Sequence, residues 1–348
     1  MLKSIEWKNG KVVILDQTLL PHRIEYIECS DYREVRDAIK KLRIRGAPAI
    51  GIAAAMGIAL GALNLHTEDK REFLASLELI MKEMLMTRPT AVNIRWAVER
   101  IRKLVNSLVA EVTVEDNLSV RELKEALKKE ALKLLEEDIK TNRAIGLNGV
   151  VLIKENMNIL THCNAGALAT GGYGTVTAPM FIARERGIKF HVFVDETRPV
   201  LQGARLTTLE LMNAGIDCTL ITDNSAGALM KKGLVDIVLV GADRITKKGD
   251  VANKIGTYSL AVLARENRVP FYVAAPFSSI DFTILDGNDI PIEERPEEEV
   301  TTVMGVRIAP EGVKALNMAF DVTPSDYITG IITEKGIFRP EELKNLAY

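Results

Sequence analysis

The C-terminal half of the sequence alternates short apolar runs with stretches of helical periodicity. The apolar runs cover residues 158–162, 189–194, 217–221, 236–240 and 270–274. Helical stretches at 176–187, 202–214, 225–232 and 254–267 separate them. This alternation predicts a parallel sheet with helices on both faces. We therefore expect an α/β fold, with a Rossmann-like catalytic domain over residues 146–348.

The N-terminal part of the sequence has a different pattern. Two β-type runs flank Asn9-Gly10, which predicts a β-hairpin. Amphipathic or apolar helices are then predicted at 32–42, 48–65, 69–86, 90–109 and 117–144. A chain of 348 residues also exceeds the usual length of one domain. Residues 1–145 are accordingly predicted to form a mainly helical domain with a small hairpin.

Charge and hydropathy exclude several classes of protein. A net charge of −2 gives no electrostatic case for a nucleic-acid partner. Ala47 to Leu65 carries no charge, but it is rich in Ala and Gly and contains Pro48, so a buried helix is expected and no membrane partner is predicted. Residues 1–11 lack a secretory pattern. We expect a cytoplasmic protein.

The cysteines and histidines give no metal-binding pattern. Cys29, Cys163 and Cys218 form an odd set without C-x-x-C spacing, so neither a disulfide framework nor a zinc site is predicted. The histidines are likewise not spaced as metal ligands. His162 and Cys163 would point to opposite faces of a strand, which argues against a Cys-His nucleophile pair.

The loop that follows the run 158–162 is rich in small residues. Gly166, Gly171, Gly172 and Gly174 could let backbone N–H groups approach an anion, and a following helix would favour phosphate and a Cys163 thiolate. The alternative is a tight turn with a buried, inert cysteine. The loop alone leaves both interpretations open.

Polar residues follow the predicted strands. Cys163, Asp195, Arg198, Asp223 and Asp243 all come after the end of an apolar run. Because ligands bind beyond the carboxyl ends of strands in open parallel sheets, we expect these side chains to gather at one edge.

Several motifs together indicate a family. They are Asp16-Gln17-Thr18-Leu19-Leu20-Pro21, Arg45-Gly46-Ala47-Pro48-Ala49-Ile50-Gly51, Thr87-Arg88-Pro89-Thr90-Ala91-Val92-Asn93, Thr161-His162-Cys163-Asn164-Ala165-Gly166, Glu196-Thr197-Arg198-Pro199, Gln202-Gly203-Ala204-Arg205-Leu206-Thr207, Gly241-Ala242-Asp243-Arg244-Ile245 and Asn253-Lys254-Ile255-Gly256-Thr257. In this order the chain resembles the aldose/ketose sugar-phosphate isomerase family, which also contains regulatory subunits of the translation-initiation nucleotide-exchange factor. The resemblance extends from about residue 5 to residue 335.

The resemblance implies an activity and two catalytic residues. It implies conversion of 5-methylthioribose-1-phosphate to 5-methylthioribulose-1-phosphate in methionine salvage, with no metal or nicotinamide cofactor, by a homodimer. Asp243 matches the family's proton donor, and Cys163 matches its base or transition-state stabiliser. An apolar setting for Asp243 would raise its pKa, as this role requires. Without the motif, Asp243 would be taken as a helix N-cap or a partner of Arg244.

The resemblance also implies substrate-binding residues. Arg45, Gly46 and Ala47 start a helix, where backbone amides and a guanidinium can hold phosphate. Arg88 precedes another helix start and is expected to be a second phosphate ligand. Each arginine, taken alone, could instead be a surface ion-pair partner.

Three further substrate contacts follow from the same resemblance: Gln202, Asn253 and Lys254. An amide suits sugar hydroxyls, and a lysine beside a helix start suits phosphate. A helix cap or a solvated position is the alternative for Asn253 and Gln202.

Glutamine is scarce, whereas Lys, Arg and Glu are plentiful. Only Gln17 and Gln202 are present, which is typical of a protein from a hot environment. Both belong to the family-like motifs, so we expect each to have a specific role; the alternative is two solvated positions.

Three other functions are compatible with parts of the sequence. A nicotinamide enzyme is disfavoured because Gly171-Gly172-Tyr173-Gly174 lacks G-x-G-x-x-G. A non-catalytic regulatory subunit is disfavoured by the presence of both Cys163 and Asp243. A ribose-1,5-bisphosphate isomerase would share these residues, but the motifs at residues 16–21 and 45–51 are closer to the methylthioribose-phosphate branch.

Overall fold

The computed structural model describes residues 2–88, 91–110 and 118–346 of the chain. These residues separate into two compact units. The N-terminal unit comprises Leu2–Lys140 together with Ala167–Gly172, and the sheet unit comprises Thr141–Gly166 and Tyr173–Tyr348. The domain boundary between residues 145 and 146 remains a prediction.

The described residues of the N-terminal unit form a small sheet and five helices. They are β1 (Ile5–Lys8), β2 (Lys11–Leu15), β3 (Tyr26–Cys29), α1 (Tyr32–Lys40), α2 (Ala47–Leu63), α3 (Lys70–Leu85), α4 (Val92–Ala110) and α5 (Val120–Gly149). The last helix continues beyond Lys140, so its final turns belong to the sheet unit. The predicted hairpin is confirmed: Lys8 pairs with Lys11, and Asn9 and Gly10 both have positive φ, as a type I′ turn requires. β3 was not predicted from the sequence. The predicted helix starts at Thr90 and Asn117 lie outside the described residues.

Helix α2 forms the centre of the N-terminal core. Every residue from Ala49 to Ala62 is buried, so the interpretation of the uncharged segment as a buried helix is confirmed. Its small residues allow neighbours to approach closely: a Cβ at Gly57 would lie 2.0 Å from the Met84 methyl, and one at Gly61 would lie 3.1 Å from the Tyr32 ring. Within the described ranges, no helix is both long and apolar enough to cross a membrane.

The sheet unit contains the remaining strands and helices. They are β4 (Asn158–Thr161), α6 (Thr177–Glu185), β5 (His191–Asp195), α7 (Thr208–Asn213), β6 (Asp217–Ile221), α8 (Ala226–Lys231), β7 (Ile237–Val240), β8 (Arg244–Thr246), β9 (Val251–Lys254), α9 (Thr257–Glu266), β10 (Phe271–Ala274), β11 (Ile280–Asp281), α10 (Glu298–Thr301), β12 (Thr302–Val303), β13 (Val306–Arg307), β14 (Phe320–Thr323), β15 (Gly330–Thr333) and β16 (Gly336–Phe338).

The main sheet has the predicted parallel architecture. Its seven strands lie in the order β16-β15-β10-β7-β4-β5-β6, with β16 antiparallel to its neighbour and the other pairs parallel. From β4 the chain winds outward through β5 and β6, then returns to place β7 on the other side of β4. The topology therefore reverses between β4 and β7. In open α/β sheets a ligand crevice lies at such a point, beyond the carboxyl ends of the strands.

A second, four-stranded sheet lies in the order β11-β8-β9-β14. It corrects one prediction: the helical segment expected over residues 254–267 begins only at Thr257, because Val251–Lys254 pairs with both β8 and β14. Gly256 provides the break between strand and helix, with φ of 103°.

Candidate active site

The loops after β4 and β7 lie on the two sides of the topological switch. Thr161 pairs with Leu239, so Cys163 and Asp243 both emerge just beyond the paired ends of neighbouring strands. The loops also touch: a Cβ at Gly241 would lie 2.7 Å from the Ala165 Cβ. The structure thus brings the two loops of the predicted catalytic residues together.

The backbone holds Cys163 in an uncommon conformation. Its φ is 64°, in the left-handed region that residues with a side chain seldom adopt. Its N–H donates to Thr197 Oγ1 at 2.8 Å, and its carbonyl accepts from Thr207 Oγ1 at 2.6 Å. The residue is partly exposed, as a reacting thiol requires.

The structure corrects the expected surroundings of Asp243. The residue is exposed, although the strand before it is fully buried, so the described residues do not enclose the carboxyl in the expected apolar pocket. The N-cap alternative is also wrong, because strand β8 follows Asp243 and its N–H donates to Ala252 O at 2.9 Å. Arg244 forms its ion pair with Asp281, at 3.7 Å.

The hydrogen bond from the Asp243 N–H to Ala252 O places β9 beside Asp243. Asn253, the residue after Ala252, is buried and donates through Nδ2 to Thr257 Oγ1 at 3.0 Å. Lys254 follows, with its Nζ 4.6 Å from the centre of the Phe320 ring. The predicted substrate residues Asn253 and Lys254 therefore lie next to the loop of Asp243.

Gln202 opens an irregular helix. Residues Gly203–Thr207 form a π-helix, which continues as α7; such distortions are frequent at functional sites. Gln202 is 6% exposed, and its Oε1 is buried without a hydrogen-bond partner in the described structure. A buried acceptor left unpaired costs free energy, so this oxygen suits a ligand hydroxyl. The alternative, that Gln202 occupies a solvated position at the surface, is therefore wrong.

In the glycine-rich loop, the amides of Gly171 and Gly172 are already hydrogen-bonded within the protein and do not contribute to the anion cradle that the sequence suggested. The Gly171 N–H donates to Asp138 Oδ2 at 2.6 Å, and the Gly172 N–H donates to Thr170 Oγ1 at 3.1 Å. A Cβ at Gly166 would lie 2.3 Å from the Glu210 carboxylate. The glycines therefore allow close packing, and the first turn of α6 comes only after this loop.

The N-terminal unit carries the other predicted substrate residues. Gly46 is the N-cap of α2, with φ of 92° and no side-chain capping bond, and Pro48 lies in the first turn. The α2 N-terminus thus presents backbone amides next to Arg45 and Ala47. A Cβ at Gly46 would lie 2.4 Å from the Ala169 Cα, so only glycine fits here.

Arg88 precedes α4 in the same unit and is partly buried. Its carbonyl accepts from the Ala91 N–H at 2.9 Å. A Cβ at Gly51 would lie 3.0 Å from the Asn93 carbonyl oxygen, so the start of α4 lies against the first turns of α2. Pro89 and Thr90 of this motif lie outside the described residues.

A buried charged cluster supports the Cys163 loop. His162 Nδ1 lies 2.9 Å from Asp195 Oδ2 and 3.9 Å from Asp223 Oδ1, and His162 Nε2 lies 2.9 Å from Ile255 O. Asp223 accepts the N–H groups of Thr197 and Arg198, each at 2.7 Å.

Two pKa shifts follow from this geometry. Burial raises the pKa of Asp195 to about 6, although the hydrogen bond with His162 opposes the rise. Burial alone would lower the pKa of His162, but the hydrogen bond and charge of Asp195, with the charge of Asp223, raise it. The raised pKa of His162 favours an imidazolium that faces the Asp195 carboxylate.

Among the described residues, His162, Asp195 and Asp223 lie close enough together to be considered as metal ligands. Both ring nitrogens of His162 already face hydrogen-bond acceptors, and Asp223 receives two backbone N–H groups. Hydrogen bonding therefore accounts for the arrangement of this cluster.

Sequence reasoning missed the role of Thr197 and the connections of His162. The sequence did contain a signal for the His162 contacts. Asp195 and Asp223 come at the ends of neighbouring predicted strands, and His162 directly precedes the candidate thiol. Thr197 gave no such signal, because its contribution depends on a φ of 67° that only the folded loop imposes.

Comparison with known proteins supports a family relationship over almost the whole chain. The Initiation factor 2 subunit family model matches residues 43–340. Methylthioribose-1-phosphate isomerase from Geotalea uraniireducens (strain Rf4) is 54% identical over 344 residues, covering 99% of this chain and 97% of that protein. The protein of the same name from Thermotoga neapolitana is also 54% identical over 344 residues, with the same coverage.

Solved structures agree with these relatives. The crystal structure of 5-methylthioribose 1-phosphate isomerase from Pyrococcus horikoshii OT3 is 46% identical, with a TM-score of 0.92 and coverage of 99% of this chain and 95% of that one. The structure named translation initiation factor eIF-2B, subunit delta, from A. fulgidus is 44% identical, with a TM-score of 0.87 and coverage of 98% and 97%. By sequence and fold, this chain belongs to the Initiation factor 2 subunit family.

Proposed function

We propose that this chain is an aldose-ketose isomerase that converts 5-methylthioribose-1-phosphate to 5-methylthioribulose-1-phosphate in methionine salvage. The observation that carries the proposal is the placement of Cys163 and Asp243 on adjoining loops at the switch between β4 and β7. Full-length relatives of that name, 54% identical, support the choice of substrate.

The chemistry is an internal redox exchange within one sugar. The bond from C1 to the ring oxygen breaks and the ring oxygen gains a proton. One hydrogen moves from C2 to C1, and the C2 hydroxyl loses its proton to become a carbonyl. The phosphate ester stays on C1. Oxidation at C2 balances reduction at C1, so the overall conversion consumes no external oxidant or reductant.

Asp243 is the proposed donor of the proton to the ring oxygen, and Cys163 the proposed base or transition-state stabiliser. Because Asp243 is exposed in the protein alone, the bound sugar must supply the desolvation that keeps the carboxyl protonated. A cis-phosphoenolate route and a hydride shift both fit these positions.

The proposed phosphate ligands are the α2 N-terminus at Gly46 and Ala47, with the guanidinium groups of Arg45 and Arg88. A helix N-terminus offers N–H groups and a positive dipole end, and a guanidinium pairs bidentately with phosphate. On the sheet unit, Gln202, Asn253 and Lys254 are the proposed contacts to the sugar and its phosphate.

A non-catalytic role is the second candidate, because the structure named eIF-2B subunit delta is 44% identical over nearly the whole chain. A preference for ribose-1,5-bisphosphate is the third. One assay separates all three: ketose formation from methylthioribose-1-phosphate and from ribose-1,5-bisphosphate, with purified protein and no added metal or nicotinamide. Preferential turnover of the first substrate is expected. Turnover of neither would favour the non-catalytic role.

The proposed assembly is a homodimer, and the proposed location is the cytoplasm. The homodimer is proposed from the family resemblance. Analytical sedimentation of the purified protein measures the oligomeric state. The location is supported by three free cysteines, at residues 29, 163 and 218, which suit a reducing compartment.

A further inference from the structure

We propose that His162 is a positioning residue for the isomerase: held as an imidazolium between Asp195 and the Ile255 carbonyl, it fixes the loop that presents Cys163. The inference rests on the proposed function for its kinetic consequences, but the charge state of His162 can be tested without turnover.

The geometry around the ring defines its protonation. Ile255 O can only accept a hydrogen bond, so the Nε2 atom 2.9 Å away carries a proton. The Nδ1 atom lies 2.9 Å from a carboxylate oxygen of Asp195, which also accepts. The side chains of His162 and Asp195 are each 2% exposed, so water does not compete for either bond.

Carboxylates face His162 from several elements. Asp195 is the last residue of β5, and Asp223 follows β6. Asp321 on β14 is close enough to respond to the imidazole charge. Glu196 adds negative charge beside Asp195. A neutral imidazole would leave these carboxylates without a positive charge beside them. An imidazolium is stabilised by their negative charge.

The cluster reaches Cys163 through Thr197. The Thr197 hydroxyl donates to the Asp195 carbonyl at 3.0 Å and accepts the Cys163 N–H at 2.8 Å. Asp223, 3.9 Å from the imidazole, holds the N–H groups of Thr197 and Arg198. The imidazolium therefore holds both loops that fix the backbone of the candidate catalytic cysteine.

This support is needed because the backbone is strained there. Cys163 has φ of 64° and Thr197 has φ of 67°. For a β-branched residue this conformation is costly, and it persists only where surrounding contacts determine it. Loss of the His162 charge would relax these loops and displace the thiol, and a misplacement of about 1 Å can cost about a hundredfold in rate.

The His162 ring also packs against the residues that follow the strand carrying Asn253 and Lys254. A Cβ at Gly256 would lie 2.9 Å from the His162 Cε1 atom, so the backbone at this position packs directly on the imidazole. Asp321 accepts the Gly256 N–H at 2.8 Å from the other side. One buried ring thus fixes the thiol loop and the segment that follows the proposed substrate contacts.

The chain contains a matched control pair. His191 Nδ1 lies 2.8 Å from Asp217 Oδ2, but this pair is at the opposite, N-terminal ends of β5 and β6, and Asp217 is 83% exposed. The same substitutions can therefore be made in a pair that has the same chemistry and no link to Cys163.

The kinetic test compares His162→Gln with His191→Gln. The first variant is expected to lose about a hundredfold in kcat, because the thiol is displaced, with a smaller rise in KM, because the segment after Lys254 loses its packing on the ring. The second is expected to keep wild-type constants. A folded His162→Gln protein with wild-type kcat would overturn the proposal.

The pH test uses Asp195→Asn, which removes the negative charge facing His162 but keeps a hydrogen-bond acceptor there. Without that charge the pKa of His162 falls, so the alkaline limb of the kcat profile is expected to move to lower pH. Asp217→Asn should leave the profile in place. An unchanged alkaline limb in Asp195→Asn would show that the His162 charge does not control the rate.

A third measurement is independent of activity. In protein labelled with ¹⁵N-histidine, the His162 signal, assigned by its loss in His162→Gln, is expected to show two protonated ring nitrogens at pH about 7. A neutral tautomer there would overturn the proposal whatever the enzyme turns over. An imidazolium in a protein without isomerase activity would instead count against the proposed function alone.

Discussion

Cys163 and Asp243 are held in different ways at the same edge of the sheet. Cys163 is fixed through its backbone, by Thr197 and Thr207, in a conformation that residues with side chains seldom adopt. Asp243 donates its backbone N–H to Ala252 O, and the residue is exposed. A bound substrate therefore has more effect on the environment of Asp243 than on that of Cys163.

The first residue-scale prediction concerns these two groups. Cys163→Ser and Asp243→Asn are each expected to lower kcat by about a thousandfold, within the range attributed to one proton-transferring group, while substrate binding persists. Ketose formation and calorimetric titration measure the two effects. Cys218→Ser and Asp289→Asn are the controls, and near-normal turnover by Cys163→Ser or Asp243→Asn would remove that residue from the mechanism.

The second residue-scale prediction uses the two glutamines. Both are buried, at 2% exposure for Gln17 and 6% for Gln202, and Gln17 Nε2 donates to Leu168 O at 2.8 Å. Gln202→Leu removes an unpaired oxygen, so thermal stability should hold while KM rises about tenfold from one lost substrate bond. Gln17→Leu leaves a buried carbonyl without its donor and should lower the free energy of unfolding by about 1–3 kcal/mol. A Gln202→Leu variant with unchanged KM would refute the assigned contact.

At the scale of elements, local sequence patterns were a good guide both to amphipathic helices such as α1 and to segments buried on all sides, such as α2 and β7. The helices of the N-terminal unit and the parallel strands β4, β5, β6, β7 and β10 were predicted close to their observed bounds. The strands β8, β9 and β14 were not, because their sequences, such as Val-Ala-Asn-Lys in β9, contain no continuous apolar run, and β14 pairs with β9 from a distant part of the chain. The same pairing places Lys254 at the end of a strand, where periodicity alone indicated helix.

The element-scale prediction concerns the start of α2. Gly46→Ala would place a Cβ 2.4 Å from the Ala169 backbone at a φ of 92°, so a loss of more than about 2 kcal/mol in unfolding free energy is expected. Gly187→Ala is the matched control, since φ is 77° and no atom lies within 4 Å of the added Cβ. That variant should lose only about 1–2 kcal/mol, the cost of left-handed backbone. Equal losses measured by denaturant unfolding would contradict the steric argument.

At the scale of the whole molecule, the amino-acid composition and the ion pairs are both typical of a heat-stable protein. Arginine-centred ion pairs link the helices of the N-terminal unit: Arg100 contacts Glu130 at 2.6 Å and Glu137 at 2.5 Å, and Arg102 bridges Glu78 and Glu99. Networks of this kind gain importance at high temperature, because the desolvation penalty of charges falls on heating.

We therefore predict a Tm above the range of about 45–65 °C that is common for mesophilic domains. Differential scanning calorimetry at two salt concentrations measures it, and a lower Tm at high salt would reflect screening of the exposed parts of these networks. A Tm inside the mesophilic range would contradict the interpretation of the scarce glutamine.

Sequence patterns were sufficient to predict most helices and the parallel strands, and motifs were sufficient to select the candidate catalytic residues. Periodicity indicated where α2 and β4 lie, and motifs selected Cys163 and Asp243, because both kinds of signal depend on neighbours along the chain. Only the tertiary structure decided that the loops of these residues meet at the reversal between β4 and β7, that Asp243 is exposed, and that His162 joins the ends of three strands. Strand order and burial depend on pairings between segments distant in sequence, which local patterns do not encode.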